Sequence, residues 1–142
     1  MGSLIRRVRV LCVDDNEDSA ETMALLLGLL GFDARACYDG SAALAVAAEF
    51  QPDVCLLDIN MPAMDGHELA GRLRDRCGGR PLLLVAATAR SADGERDRTT
   101  AAGFHYHLTK PVDIPALLGA MTEFAGSRWG PWPESARAAA AS

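Results

Sequence analysis

Short apolar runs alternate with longer segments of helical periodicity along most of this chain. The five apolar runs that we predict to be strands span residues 8–13, 33–37, 54–57, 82–87 and 105–108. Most of them are too continuously apolar for a sheet with one face in water, which predicts burial on both faces. The alternation of strands with helices predicts an α/β fold, in which helices cover both faces of a parallel sheet.

Helical signals mark the segments that follow the strands. The five predicted helices span residues 18–30, 40–50, 66–76, 90–102 and 113–124. Four leucines share one side of the first helix: Leu25, Leu26, Leu29 and Leu30. Gly31 stands where a left-handed residue closes that helix, and Asp113 is the predicted N-cap of the last one.

Length and composition favour a single domain over residues 1–125. A chain of 142 residues, of which 49% are hydrophobic, can bury a core of its own without disulfides or metal. After Gly126 the composition shifts to Gly, Pro, Ser and Ala, with Trp129 and Trp132 as the only bulky apolar residues. We therefore predict a flexible tail or linker over residues 126–142.

Charge and hydropathy exclude several classes of partner. The formal net charge of -5 disfavours direct binding to nucleic acid or to an anionic membrane, because either would repel the average surface. No apolar stretch approaches the roughly 20 residues needed to cross a bilayer, and a secretory leader is not evident, so we expect a cytoplasmic location. The four cysteines include no C-x-x-C pair, which predicts reduced thiols instead of a zinc or redox motif.

Polar residues that carry chemistry stand at the ends of four predicted strands. Asp14 and Asp15 follow the first strand, Asp58 the third and Thr88 the fourth, and Lys110 comes shortly after the fifth. The carboxyl ends of parallel strands emerge at one edge of a sheet, where ligands bind in open α/β folds. We therefore expect these five side chains to converge.

Three converging carboxylates need a positive partner, because two like charges about 4 Å apart cost about 4 kcal/mol at an effective dielectric constant of 20. Mg²⁺ prefers oxygen ligands and also binds phosphoryl oxygens, and Lys110 adds a fixed positive charge. The set predicts phosphoryl transfer to a carboxylate. Asp58, between an apolar strand and a Met-Pro turn, is the best candidate for the nucleophile. At most one of Asp14 and Asp15 can point straight at a metal, unless the chain turns there.

Four motifs make the chain resemble the receiver domains of response regulators in two-component signalling. They are Leu-Cys-Val-Asp-Asp-Asn-Glu at 11–17, Leu-Leu-Asp-Ile-Asn-Met-Pro-Ala-Met-Asp-Gly at 56–66, Ala-Ala-Thr-Ala at 86–89 and Leu-Thr-Lys-Pro at 108–111. The resemblance runs from about residue 8 to residue 124. It implies a flavodoxin-like, doubly wound sheet with strand order 2-1-3-4-5. It also implies a phosphoprotein of a phosphorelay, which promotes only its own phosphorylation and dephosphorylation and is not an enzyme for other substrates.

The resemblance assigns the phosphoacceptor and the metal ligands. Asp58 is the expected phosphoacceptor. Mg²⁺ is expected to bind Asp58, Asp15 and the backbone carbonyl of Asn60, while Asp14 helps through bound water. Asn60 and Arg90 are expected to influence how fast water reaches the phosphorylated aspartate.

Further expected roles concern a conformational switch. Lys110, joined to Pro111 by a cis bond, pairs with the phosphoryl group. Thr88 swings its hydroxyl onto a phosphoryl oxygen and draws its loop inward. The second switch position, often Tyr or Phe in such domains, is His107 here, with Tyr106 on the opposite face. Similar receivers attached to hybrid histidine kinases often carry His at this position.

The resemblance also implies partners. The expected phosphoryl donor is a histidine kinase or a histidine phosphotransfer protein. The predicted fourth helix, fifth strand and fifth helix form the usual signalling face of similar domains, through which a homodimer can form.

Three other functions fit parts of the sequence. The main alternative, a Mg²⁺-dependent phosphatase that passes through an aspartyl phosphate, lacks the acid two residues after the nucleophile, where Asn60 stands. A flavin or nucleotide binder needs a phosphate-binding loop after the first strand, where this chain is acidic. His105 and His107 form an H-x-H pair that can ligate zinc, without an obvious third ligand.

Overall fold

Five strands occur in the residues that the computed structural model describes, which are 7–89 and 103–125. They are β1 (Arg9–Val13), β2 (Asp33–Cys37), β3 (Val54–Asp58), β4 (Leu83–Thr88) and β5 (Tyr106–Thr109). Every pairing is parallel, and the strand order is β2-β1-β3-β4-β5. The predicted fold class and strand order are confirmed, and each strand boundary lies within one residue of its prediction.

Within residues 7–89 and 103–125, four helices connect or follow these strands. They are α1 (Glu17–Leu29), α2 (Gly40–Phe50), α3 (Gly66–Arg76) and α4 (Ile114–Ala125). Helix α4 is the fifth helix of the sequence prediction, because the predicted fourth helix (90–102) lies outside the described residues, as does the predicted tail (126–142). None of the described helices is long and apolar enough to cross a membrane.

The sheet separates two apolar cores, because alternate residues of each strand point to opposite faces. On one face α1 and α4 pack over Val10, Leu56 and Val85. On the other face α2 and α3 pack over Leu11 and Leu57. All but one of these five strand residues have no exposed surface, which explains their continuous apolar runs.

Each described helix begins with an Asp or Asn whose side chain accepts a backbone N–H three residues on. The four pairs are Asn16 with Ser19, Asp39 with Ala42, Asp65 with Glu68 and Asp113 with Ala116, at 2.7–3.0 Å. Such caps satisfy N–H groups that have no partner within the helix. The predicted cap at Asp113 is confirmed, and Gly31 adopts the predicted left-handed conformation with φ 104°.

Most of the leucines that were predicted to share one side of α1 are exposed. Leu25, Leu26 and Leu29 are 64%, 41% and 73% exposed, whereas Ala20 and Leu27 are buried. Successive helix residues are about 100° apart, so three consecutive leucines cannot all face the sheet. Three of the four leucines predicted to share one side of the helix are thus exposed, while Leu30 is partly buried against the core. Those three form an exposed apolar strip, defined here as Leu25, Leu26 and Leu29.

Two helical glycines are expected to respond in opposite ways to substitution by alanine. A Cβ on Gly28 meets nothing within 4 Å, so Gly28→Ala is expected to raise the free energy of unfolding by about 0.5–1 kcal/mol through helix propensity. A Cβ on Gly66 falls 2.6 Å from the Ile59 Cα, so Gly66→Ala is expected to lower the free energy of unfolding. Urea unfolding of both variants checks the pair. A stabilised Gly66→Ala would contradict the packing described for this turn.

Candidate functional site

Three carboxylates meet at the edge formed by the carboxyl ends of the strands. An oxygen atom from each of Asp14, Asp15 and Asp58 lies within 4.8 Å of the other two. Asp58 is the last residue of β3, and the chain turns after β1 so that both Asp14 and Asp15 reach the same place. Asp14 and Asp58 are buried, and Asp15 is exposed. The structure thus brings together the acidic residues that the sequence predicted would converge.

Both carboxylate oxygens of Asp14 have protein partners. The Asn16 N–H donates to Oδ1 at 2.9 Å, and the Lys110 ammonium donates to Oδ2 at 2.8 Å. Asp15 is exposed, although a carboxylate oxygen of its side chain lies within 4.8 Å of the other two carboxylates. An ion that enters the site therefore finds Asp15 more accessible than Asp14.

Asp58 is held between Asn60 and Lys110. Its Oδ1 accepts the Asn60 N–H at 3.0 Å, and its Oδ2 lies 3.4 Å from the Lys110 Nζ. One ammonium group therefore lies between two buried carboxylates. This arrangement fixes the Asp58 side chain and supplies positive charge where a transferred anionic group would arrive.

Thr88 ends β4 beside these residues, with 2% of its surface exposed. Its carbonyl oxygen accepts the Lys110 N–H at 2.7 Å, and its hydroxyl oxygen accepts the Asn60 side-chain N–H at 3.4 Å. The bond between Lys110 and Pro111 is cis, as predicted. Thr88 thus contacts both Asn60 and Lys110, and each of these two residues contacts Asp58.

His107 lies on β5 beside Ala86 of β4. Ala86 belongs to the core under α2 and α3, whereas the neighbouring Tyr106 packs against the core under α1 and α4. His107 and Tyr106 therefore point to opposite faces of the sheet, as predicted. The Tyr106 hydroxyl donates to a carboxylate oxygen of Glu123 on α4.

Burial raises the pKa of the Asp58 carboxyl above its ordinary value. The Asn60 N–H and the Lys110 ammonium lower this pKa in part, and the Asp14 carboxylate adds to the rise. Burial alone would lower the pKa of Lys110, but its hydrogen bond to Asp14 and the charge of Asp58 outweigh that effect and raise it. Lys110 is thus held in the charged form, while ionised Asp58 carries an energetic cost without a further cation.

Asp58→Asn is expected to stabilise the fold at neutral pH in the absence of divalent ions. Since the folded pKa of Asp58 lies above the unfolded one, the folded state binds more protons, and its stability falls as pH rises through that interval. We therefore expect Asp58→Asn to raise the free energy of unfolding at pH 7, with a smaller gain at pH 4, where the carboxyl is increasingly protonated in both states.

Urea unfolding in a chelator at both pH values checks this expectation. Asp39→Asn is the control, because residue 39 is an N-cap that Asn fills equally well. An Asp58→Asn protein no more stable than wild type at pH 7 would contradict the stated cost of the buried charge.

An apolar cleft of about 610 Å³ adjoins the acidic residues. Asp58 and Lys110 line it on one side, and Met23, Leu26 and Val112 contribute apolar side chains. The exposed apolar strip on α1 therefore reaches the cleft through Leu26. The sequence prediction missed these residues, although three consecutive leucines signalled that part of α1 must be exposed.

Two further sequence predictions concern the pair His105 and His107, and Arg90. Among the described residues, Asp14, Asp15 and Asp58 form the only group of three His, Cys, Asp or Glu suited to hold a metal, and it does not include His105 or His107. The His105 Nδ1 accepts the Leu84 N–H at 3.1 Å, so this nitrogen has a structural partner. Arg90 lies outside the described residues.

Comparisons with known proteins agree on one family. A family model described as "Response regulator receiver domain" matches residues 10–122. Sensor histidine kinase RcsC of Salmonella typhi is 35% identical over 116 residues, which cover 82% of this chain and 12% of RcsC. Response regulator PleD of Caulobacter vibrioides is 36% identical over 110 residues, covering 78% of this chain and 24% of PleD. The chain thus spans a quarter or less of the length of these two relatives.

Solved structures give the same result. The chemotaxis protein CheY4 of Vibrio cholerae superposes with a TM-score of 0.77 at 26% sequence identity, covering 84% of this chain and 99% of CheY4. This similarity agrees with the observed strand order.

Proposed function

Because the chain belongs to the family of response regulator receiver domains, it serves as a phosphoacceptor module in two-component signalling, and we propose that Asp58 accepts the phosphoryl group. The observation that carries this proposal is the position of Asp58 at the end of the central strand, with its two oxygens beside the Asn60 N–H and the Lys110 ammonium. The phosphatase alternative receives no support from the comparisons.

The proposed reaction is an in-line displacement at phosphorus. A carboxylate oxygen of Asp58 forms a bond to the phosphorus of a phosphohistidine, the P–N bond breaks, and its electron pair leaves with the imidazole, which takes up a proton. Lys110 neutralises charge on the transferred group from its place near Asp58. The product is an acyl phosphate on Asp58.

The donor set fits Mg²⁺, because it consists of carboxylate oxygens grouped within 4.8 Å. We propose that Asp15, Asp58 and the Asn60 carbonyl hold the ion. Asp14 would act through water, since its oxygens already accept hydrogen bonds from Asn16 and Lys110. When bound, the ion supplies positive charge that neutralises the phosphoryl oxygens.

The conformational response is assigned to Thr88 and His107. Thr88 stands next in the chain to Ala87, whose strand position pairs with Asp58, so its hydroxyl is close enough to follow a change at the acceptor. His107 lies on the neighbouring strand, where its half-buried ring can change position with the Thr88 segment. The homodimer through the predicted fourth helix, β5 and α4 stays a prediction, because the first of these elements lies outside the described residues.

The exposed apolar strip on α1 supports a docking site for the phosphoryl donor. Leu26 belongs both to this strip and to the cleft that reaches Asp58 and Lys110. A helical surface with apolar side chains around a phosphohistidine would cover the strip and exclude water from the transfer. We therefore assign the strip to a histidine kinase or histidine phosphotransfer protein.

Leu25→Gln combined with Leu29→Gln is expected to slow transfer from the protein donor at least about tenfold, because two apolar anchors are lost. Phosphorylation by acetyl phosphate, a small donor that needs no docking, is expected to remain unchanged. Ala45→Gln, at an exposed position on α2, is the control. Equal slowing with both donors would show that the substitutions disturb the site and not the docking surface.

Incubation with a phosphorylated histidine phosphotransfer domain and Mg²⁺ tests the proposed function. We expect intact-mass measurement to find one added phosphoryl group, which hydroxylamine removes because the product is an acyl phosphate. Steady release of phosphate from an added phosphate ester, lost in Asp58→Ala, would favour the phosphatase instead.

A further inference from the structure

The side chain of Asn60 contacts the residue assigned to the switch. Its Nδ2 lies 3.4 Å from the Thr88 Oγ1, while its backbone N–H donates to Asp58 at 3.0 Å. One residue therefore touches both the proposed acceptor and the proposed switch hydroxyl. The backbone contact positions Asp58, and the side-chain contact is available for a second role.

The backbone around Asn60 is fixed although its side chain is exposed. Ile59 and Met61, on either side, are 2% and 7% exposed and belong to the core under α2 and α3. The Ile59 N–H donates to the Ala87 carbonyl oxygen at 3.2 Å, which ties this segment to β4 one residue before Thr88. The amide is thus presented to Thr88 by a rigid segment. Since residue 60 itself is exposed, its side chain can be exchanged without opening the core.

We infer that Asn60 is a positioning residue, whose side-chain amide holds the Thr88 hydroxyl in its resting orientation. A hydroxyl oxygen that accepts a hydrogen bond from Asn60 is favoured in the rotamer that keeps this contact. When Thr88 turns to donate to a phosphoryl oxygen on Asp58, the contact with Asn60 is lost. The contact with Asn60 therefore favours the resting state. This inference rests on the proposed function of Asp58 and Thr88.

The expected consequence is a restraint on activation. A neutral hydrogen bond at 3.4 Å is weak, so its loss shifts a two-state equilibrium by roughly threefold to tenfold. Asn60→Leu, which has a similar size and no donor, is expected to lower the beryllofluoride concentration needed for half-maximal response in Mg²⁺ by this factor. Asn60→Gln, which keeps a donor, is expected to restore part of the restraint.

Two measurements by nuclear magnetic resonance test the inference. Three-bond couplings report the χ1 rotamer of Thr88 in the resting protein, and we expect one rotamer in wild type and averaging in Asn60→Leu. Amide shifts report the beryllofluoride titration. In a Thr88→Val background the effect of Asn60→Leu on that titration is expected to vanish, because the hydroxyl is absent. Thr109→Val, which removes a hydroxyl from the paired strand β5, is the control.

The outcomes separate this inference from the proposed function. A wild-type protein that gives no response to beryllofluoride in Mg²⁺ would overturn the proposed function together with the inference. A wild-type response that Asn60→Leu leaves unchanged, with the same single Thr88 rotamer, would overturn the inference alone. A lower half-maximal concentration that persists in Thr88→Val would also overturn it, because the effect would not act through the hydroxyl.

Discussion

Asp58→Asn is expected to reduce phosphorylation of this chain by roughly three orders of magnitude or more, the size of effect seen when a nucleophile is removed. The Asn amide has the shape of the carboxyl but no anionic oxygen, so it cannot form an acyl phosphate. Its side chain can still accept the Asn60 N–H, and the surrounding contacts remain possible. The loss therefore reports chemistry and not collapse of the site.

Label transfer from a phosphorylated donor and intact mass after acetyl phosphate measure this loss. The amide shifts of Thr88 and His107 on addition of beryllofluoride and Mg²⁺ are expected to disappear as well. Asp39→Asn makes the same chemical change at a helix cap and is expected to match wild type. Undiminished labelling of Asp58→Asn would move the acceptor role to another carboxylate of the site.

Lys110→Ala is expected to separate metal binding from the response to phosphorylation. The ammonium lies 2.8 Å from Asp14 and 3.4 Å from Asp58, so its removal frees both carboxylates and leaves the site more negative. We expect Mg²⁺ affinity to be retained or to increase, by up to roughly tenfold, because less positive charge opposes the ion. The affinity for beryllofluoride is expected to fall at least about tenfold, since its counter-charge is lost.

Calorimetry with Mg²⁺ and the beryllofluoride titration measure the two effects. Arg72→Ala, which removes a positive charge from an exposed pair with Glu68, controls for net charge and is expected to change neither. A Lys110→Ala protein that binds beryllofluoride as tightly as wild type would remove Lys110 from the proposed mechanism.

The pattern of apolar residues was sufficient for the fold but not for every helix face. Strands with alternate residues in two cores appear as continuous apolar runs, so their number and order could be predicted. In α1 the pattern grouped Leu25, Leu26, Leu29 and Leu30 on one side, but the buried leucine is Leu27. Hydrophobicity alone does not say which of Leu25, Leu26 and Leu27 faces the sheet, because that depends on how the helix is rotated when it packs.

The location of the candidate site could be predicted for a similar reason. Parallel strands bring their carboxyl ends together regardless of loop details, so Asp14, Asp58 and Thr88 had to be neighbours. The sequence could not reveal that Lys110 pairs with Asp14, 96 residues away, or that Asn60 contacts Thr88. These contacts depend on side-chain rotamers within the assembled sheet.

The order of the strands has a consequence for the newly made protein. Asp14 and Asp58 are synthesised early, but Lys110 follows β5, which pairs only with β4 in the part of the chain that the structure describes. A nascent chain that has not yet docked this strand holds its carboxylates without the ammonium between them. The chain is therefore expected to accept a phosphoryl group only after β5 has docked. A ribosome-bound fragment that ends before Lys110 is expected not to be phosphorylated by its donor.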